Sequence, residues 1–167
     1  PVIVVAGPGS NGGDGLAAAR YLANAGCDVR VVVLSQRAKM RGDAAVQLRL
    51  IERMEVPVQF AHTVPAWEDT LDWLYTSDAV IDAVFGTGFH APVQDEFFSS
   101  VIDDINHAPG QVVSVDIPSG LSADTGEVAG PAVHASATVW LGFLKFAHVL
   151  PPAEQYCGAL HEGNLGL

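Results

Sequence analysis

The stretch Val4–Leu16, VVAGPGSNGGDGL, decides how the chain is read. It begins as an apolar run and passes through Gly7, Gly9, Gly12, Gly13 and Gly15, with Asn11 and Asp14 set among them. It ends where a helix-period segment begins. Gly7, Gly9 and Gly12 satisfy G-x-G-x-x-G as letters. The dinucleotide fingerprint also needs an Asp or Glu at the end of the second strand to hold ribose hydroxyls. That end reads Leu34-Ser35-Gln36-Arg37, where Arg37 could take a 2′-phosphate but the acid is missing. No Gly-Lys-Ser/Thr follows, so the Walker A pattern fails as well. The bland alternative is a turn whose glycines serve only positive φ and close helix packing. Five glycines with Asn and Asp between them, at a strand-to-helix turn, favour a ligand loop.

Outward from this turn, short apolar runs alternate with helix-period segments. Val2–Ala6, Val29–Leu34, Val56–Phe60, Ala79–Val84, Val112–Val115 and Ala137–Leu141 read as strands. Asp14–Gly26, Asp43–Met54, Trp67–Tyr75 and Phe97–Ile105 read as helices. Near-continuous Val/Ile runs mean strands buried on both faces, and strands alternating with helices mean a parallel sheet. The expectation is one α/β domain over residues 1–167: a single three-layer, doubly wound, Rossmann-like fold with a mostly parallel sheet.

Composition bounds the partners. The formal net charge is −11 and the pI about 4.6, which argues against a nucleic-acid or anionic-membrane surface. A local backbone nest can still bind phosphate within an acidic protein. The two cysteines, Cys27 and Cys157, match neither a disulfide framework nor a zinc pattern and read as buried free thiols in a reducing cytoplasm, with a single disulfide left open. The longest apolar runs are strand-sized, so no membrane span is expected. The first strand begins at once and the end is abrupt, which suggests a domain taken from a longer chain.

In a doubly wound sheet the ligand crevice lies outside the carboxyl ends of the strands. Those ends carry Gly7–Gly15, then Asp82 with Phe85–Pro92, then Asp116-Ile117-Pro118-Ser119-Gly120, then Gly142–Lys145. The segment GPGSNGGDGLAAARYL resembles the G-x-G-N-N-G-G-D-G-x-x-x-A-R signature of the NAD(P)HX epimerases, the family built on the YjeF N-terminal domain. VIDAVFGTGF at Val80–Phe89, VVSVDIPSGL at Val112–Leu121, DTGEVAGPAVHASATVWL at Asp124–Leu141 and the closing LHEGNLGL match in order. Ser10 departs from the first Asn of the usual pair, and the chain is expected to lack the family's N-terminal helical extension.

The resemblance implies an isomerase of nicotinamide nucleotide repair. Its substrates, NADHX and NADPHX, are NADH and NADPH hydrated at C6 of the nicotinamide ring, and the enzyme interconverts their R and S epimers for an NAD(P)HX dehydratase, fused or separate. Carried over residue by residue, Ser10, Asn11, Gly12, Gly13 and Asp14 would line the substrate at the helix start. Gly86, Thr87, Gly88, Phe89, His90, Ala91 and Pro92 would wrap the pyrophosphate side. Asp116 would contact the hydrated ring and act as the catalytic acid–base group, where burial could raise its pKa. Asn11, Asp82 and Ser119 would hold one K+ per subunit. Lys145 reads as a phosphate or carboxylate partner or as a solvated surface lysine. His62, His107, His134, His148 and His161 form no usable spacing. The family also implies a cytoplasmic homodimer, for which Trp67, Trp73, Phe97 and Phe98 on nominally outer helices are the candidate packing residues; inward packing is the alternative. Rival readings are a non-catalytic binding module of the same family and an NADP-dependent oxidoreductase using Arg37.

Overall fold

A computed structural model describes residues 1–89 and 92–164. The elements run β1 (Val2–Ala6), α1 (Ser10–Asn24), β2 (Val29–Val33), α2 (Gly42–Arg53), β3 (Val58–Phe60), α3 (Val64–Glu68), α4 (Leu71–Tyr75), β4 (Ala79–Ala83), α5 (Glu96–His107), β5 (Gln111–Val115), β6 (Ala137–Leu141), α6 (Phe146–Val149) and β7 (Ala159–Gly163). The described residues form a seven-stranded sheet in the order β3-β2-β1-β4-β5-β6-β7, and every pairing is parallel. The seventh strand comes from the closing segment and pairs Ala159–Gly163 with Ala137–Leu141.

Side chains of β1 alternate between two cores. Val4 and Ala6 join Leu16 and Ala19 of α1 and Ala44, Leu48 and Ile51 of α2 on one face. Ile3 and Val5 join Trp67 of α3, Leu74 of α4 and Val101, Ile102 and Ile105 of α5 on the other. Both faces of the strand are thus dry, which is why its sequence shows no polar alternation. A third cluster of Ile117, Leu121, Ala132, Ala147, Ala153 and Cys157 packs where the chain crosses from β5 to β7.

Several expectations are corrected. α1 begins at Ser10 and not at Asp14, so Ser10 to Gly13 lie within its first turn instead of in a loop before it. The segment Trp67–Tyr75 is two short helices, α3 and α4; the Thr70 hydroxyl donates to the Trp67 carbonyl at 2.7 Å and competes with helix continuation there. Trp67 points inward, fully buried, and its Nε1 donates to Asp104 at 2.7 Å, so it is a core residue. Cys27 is exposed and only Cys157 is buried; burial pushes the Cys157 thiol up to about 11.

None of Gly7, Gly9, Gly12, Gly13 and Gly15 has a positive φ, and for Gly7, Gly12 and Gly15 the requirement is close approach. A Cβ on Gly7 would overlap the Val84 carbonyl, one on Gly12 the Gly7 carbonyl, and one on Gly15 the Cβ of Ala83. α1 therefore sits directly on the β1–β4 junction. Glycines within a helix cost about 1 kcal/mol each relative to alanine, so Gly15→Ala would stabilise an isolated helix. Here the overlap with Ala83 dominates, and Gly15→Ala is expected to destabilise the fold by about 1–3 kcal/mol in urea unfolding. Adding Ala83→Gly should recover part of that loss, as a contact-mediated coupling requires.

Candidate active site

The chain leaves β1 toward β2 and β3 on one side, then returns to place β4 on the other. The crevice of such a fold opens between the carboxyl ends of those two strands. A cavity of about 590 Å³ lies there, lined by Pro8, Gly9, Ser10, Asn11, Asp14, Val84, Phe85, Gly86, Thr87, Gly88, Phe89 and Asp116. A second cavity of about 600 Å³ shares Pro8, Gly9, Ser10 and Asp14 and continues toward Arg41 and Asp43 at the start of α2.

Beneath the first cavity lies Asp82, wholly buried in β4. Its Oδ1 accepts from the Ser119 hydroxyl at 2.5 Å and from the Val84 amide at 3.3 Å. Its Oδ2 accepts from the Ser114 hydroxyl at 2.8 Å and the Ser119 amide at 2.9 Å. Burial pushes the Asp82 carboxyl up, and these donors oppose the shift. Ser119 Oγ in turn accepts from the Phe85 amide at 2.9 Å, and the Phe85 carbonyl accepts from Asn11 Nδ2 at 2.8 Å. One chain of bonds therefore links Asn11, Asp82 and Ser119 through the backbone of Phe85. Among the described residues, no group of three or more His, Cys, Asp and Glu side chains gathers as a metal cluster.

Asp116 follows β5 with φ at 68°, a left-handed conformation rare for a residue other than glycine. It is 8% exposed and lines the cavity. Its amide donates to the Val139 carbonyl at 2.8 Å, and its Oδ1 accepts from the Leu141 amide at 3.1 Å and from Lys145 Nζ. Lys145 Nζ also donates to the Leu141 carbonyl at 2.7 Å. His148 Nε2 lies 2.8 Å from the Asp116 carbonyl. Asp116 thus stands between two tethers, with Oδ2 carrying none of these bonds.

The other expected residues divide by position. Ser10, Asn11, Asp14, Gly86, Thr87, Gly88 and Phe89 come together around the cavity. Gly12 packs against Gly7, while Gly13 packs against Ala44 and lines the second cavity. Pro92 lies near Gly130, and His90 and Ala91 lie outside the described residues. Phe89 stacks on Phe85 with ring centroids 4.3 Å apart, giving the cavity an aromatic wall. Asp14 is exposed by surface area yet flanked by protein atoms; partial desolvation, then the Asp116 and Asp43 carboxylates, push its carboxyl up. Arg37 forms a bidentate pair with Glu52 at 2.8 and 2.7 Å on the surface, so its guanidinium is engaged away from the cavity. Lys145 is the carboxylate partner, at 16% side-chain exposure, and not a solvated lysine. Sequence reasoning missed His148 and Ser114. The three-residue spacing of Lys145 and His148 was the available signal, and only the return of α6 beneath Asp116 gives it meaning.

The profile of the family described as YjeF-related protein N-terminus matches residues 1–147. An NAD(P)H-hydrate epimerase of Oenococcus oeni is 34% identical over 99% of this chain and 74% of its own. A bifunctional NAD(P)H-hydrate repair enzyme of Thermofilum pendens is 38% identical over 97% of this chain, which spans only 30% of that longer protein. The crystal structure of yeast ynu0 superposes with a TM-score of 0.75 at 28% identity, covering 86% of this chain and 58% of that one. With the glycine turn, the buried Asp82 network and Asp116 all within the matched span, the chain belongs to the family of the YjeF-related protein N-terminus.

Proposed function

We infer that this chain epimerises R- and S-NAD(P)HX, and the observation that carries the reading is Asp116 in the cavity wall with Lys145 against its carboxylate. Changing the configuration at C6 requires breaking a bond to that carbon and re-forming it on the other face. The ring nitrogen beside C6 can push its lone pair to expel the hydroxyl, and a proton must reach the departing oxygen. The Asp116–Lys145 pair holds a proton at the cavity wall and can give it to the leaving oxygen, then take one back when water adds to the opposite face. Protons and electrons balance over the cycle. The Phe85–Phe89 stack offers a flat surface beside the reacting ring. The first-turn amides of α1 face the pyrophosphate, and the cavity running on toward Arg41 receives the second nucleotide half.

A K+ ion fits the chemistry of the linked donors. Asn11, Asp82, Ser119 and the Phe85 carbonyl offer oxygen, the ligand type a hard monovalent cation takes. When bound, it would supply charge that offsets Asp82 and the substrate's pyrophosphate. Action on this substrate is proposed to take place in the cytoplasm, beside a dehydratase that is fused or separate. Among the described residues no helix is long and apolar enough to cross a membrane. A homodimer is proposed through the exposed apolar run of Phe143, Leu144, Phe146, Val149 and Leu150, because a contiguous patch of this kind marks an interaction site.

Incubation with R-NADHX, with R/S ratios followed by chromatography against an enzyme-free blank, tests the activity. Asp116→Asn is expected to slow epimerisation at least ~100-fold while substrate binding persists, since the amide keeps the shape but cannot exchange the proton. A near-wild-type kcat with a raised KM would instead assign Asp116 to passive binding.

The ion has its own test. The Asp82 carboxyl is raised in the fold, so between the ordinary carboxylate value and the folded one the native state binds more protons than the unfolded chain. Stability falls as pH rises through that window, and above it the buried charge remains for a cation to offset. Exchange of choline chloride for KCl at neutral pH should therefore stabilise the protein by about 1–3 kcal/mol at ten to a hundred times the Kd. The gain should vanish as pH falls through the folded value, and Asp82→Asn should abolish it. Light scattering at micromolar concentration is expected to give the dimer mass, and Phe143→Glu with Phe146→Glu the monomer mass.

A further inference from the structure

We infer that His148 is a positioning residue for the Asp116–Lys145 pair, holding the backbones of both through one neutral imidazole protonated on Nε2. This rests on the reading of Asp116 as the acid–base group. A left-handed backbone at a non-glycine residue is strained and persists only where the surroundings fix it. At Asp116 the amide is fixed by Val139 and the side chain by Leu141 and Lys145, while the carbonyl is held by His148 Nε2 at 2.8 Å. The other ring nitrogen, Nδ1, accepts from the Lys145 amide at 3.1 Å. An amide N–H can only donate, so Nδ1 must carry the lone pair. Nε2 must then carry the proton, and it points at a carbonyl that can only accept. Both ring nitrogens are used, and each contacts the main chain of one member of the pair.

A charged imidazolium would bring two N–H groups face to face at Lys145 and lose that bond. His148 is 3% exposed; burial lowers its pKa first, the Lys145 charge adds to this, and the Asp116 carbonyl and carboxylate oppose it. The ring stands at the start of α6, whose amide at His148 also returns to the Lys145 carbonyl at 3.0 Å. Lys145 therefore reaches Asp116 from a turn closed on itself by His148. Removing the ring leaves Asp116 free to relax from its left-handed conformation and Lys145 free to shift along the loop. A displacement of about 1 Å in a catalytic group can cost ~100-fold in rate.

Side-chain replacements separate the two bonds. Glutamine places an amide nitrogen near the position of Nε2 and keeps the donor to Asp116, whereas asparagine places its oxygen near Nδ1 and keeps the acceptor for Lys145. His148→Ala is expected to lower kcat about 10- to 100-fold with KM within about threefold. His148→Gln should recover most of that loss, and more than His148→Asn does. A folded His148→Ala with kcat within about threefold of the parent overturns the inference, as does an asparagine variant equal to or better than the glutamine one. Should the alanine variant fail to fold, the glutamine–asparagine comparison decides. Nitrogen-15 NMR of the unmodified protein at neutral pH reads the tautomer without any assay of activity. A single neutral Nε2–H ring is expected; an Nδ1–H ring or an imidazolium overturns the inference. A correct tautomer in a protein inert toward NADHX would leave the clamp on Asp116 standing and remove only the proposed reaction.

Discussion

The buried carboxylate of Asp82 is the point to which the strand ends of this protein are tied. A charge sealed inside a sheet is costly unless every lone pair is met. Here Ser114 from β5, Ser119 from the loop beyond it and the Val84 amide give it four hydrogen bonds. Ser119 then fixes Phe85, and Phe85 fixes Asn11 at the second residue of α1. The satisfaction of one carboxylate thereby sets the relative positions of the turn after β1, the loop after β4 and the loop after β5. Those are the walls of the cavity.

Steric closeness does the rest on the β1 side. α1 opens against the β1–β4 junction with carbonyls and a methyl group where a Cβ would have to fit. The helix accepts the low propensity of Gly12, Gly13 and Gly15 because their absence of side chain lets its first turn reach the switch point. Asn11 and Asp14 are carried into the cavity wall by that approach. A bulkier helix start would sit farther from the sheet and would separate Asn11 from Phe85.

Asp116 shows a different device. Its backbone lies in a conformation that L-residues avoid, and its carboxylate is turned to Lys145 and Leu141. The opposing contacts come from β6 and the segment entering α6, some 25 to 32 residues further along the chain. The catalytic candidate is therefore carried by one strand and oriented by the next crossover. The order of the strands is what brings the two together.

Much of this was legible in the sequence. Unbroken Val/Ile runs between helix-period segments fixed a parallel sheet, because strands covered on both faces have no polar side to alternate. The glycine turn, Asp82, Asp116 and Ser119 all stood at strand ends, where such a sheet places its ligands. What the sequence could not rank were groups whose meaning depends on distant partners. Trp67 could have faced outward, and only the packing of α3 under α5 buries it. Arg37 stood where a 2′-phosphate binder would stand, and Glu52 of α2 claims it. Lys145 read as readily as a surface lysine, and His148 fitted no spacing, because both act on Asp116, 29 and 32 positions away. Local periodicity and turn chemistry are properties of neighbouring residues, so the chain alone determined the layers and the strand ends. Hydrogen bonds across the sheet depend on which strands become neighbours, and that only the tertiary structure decided.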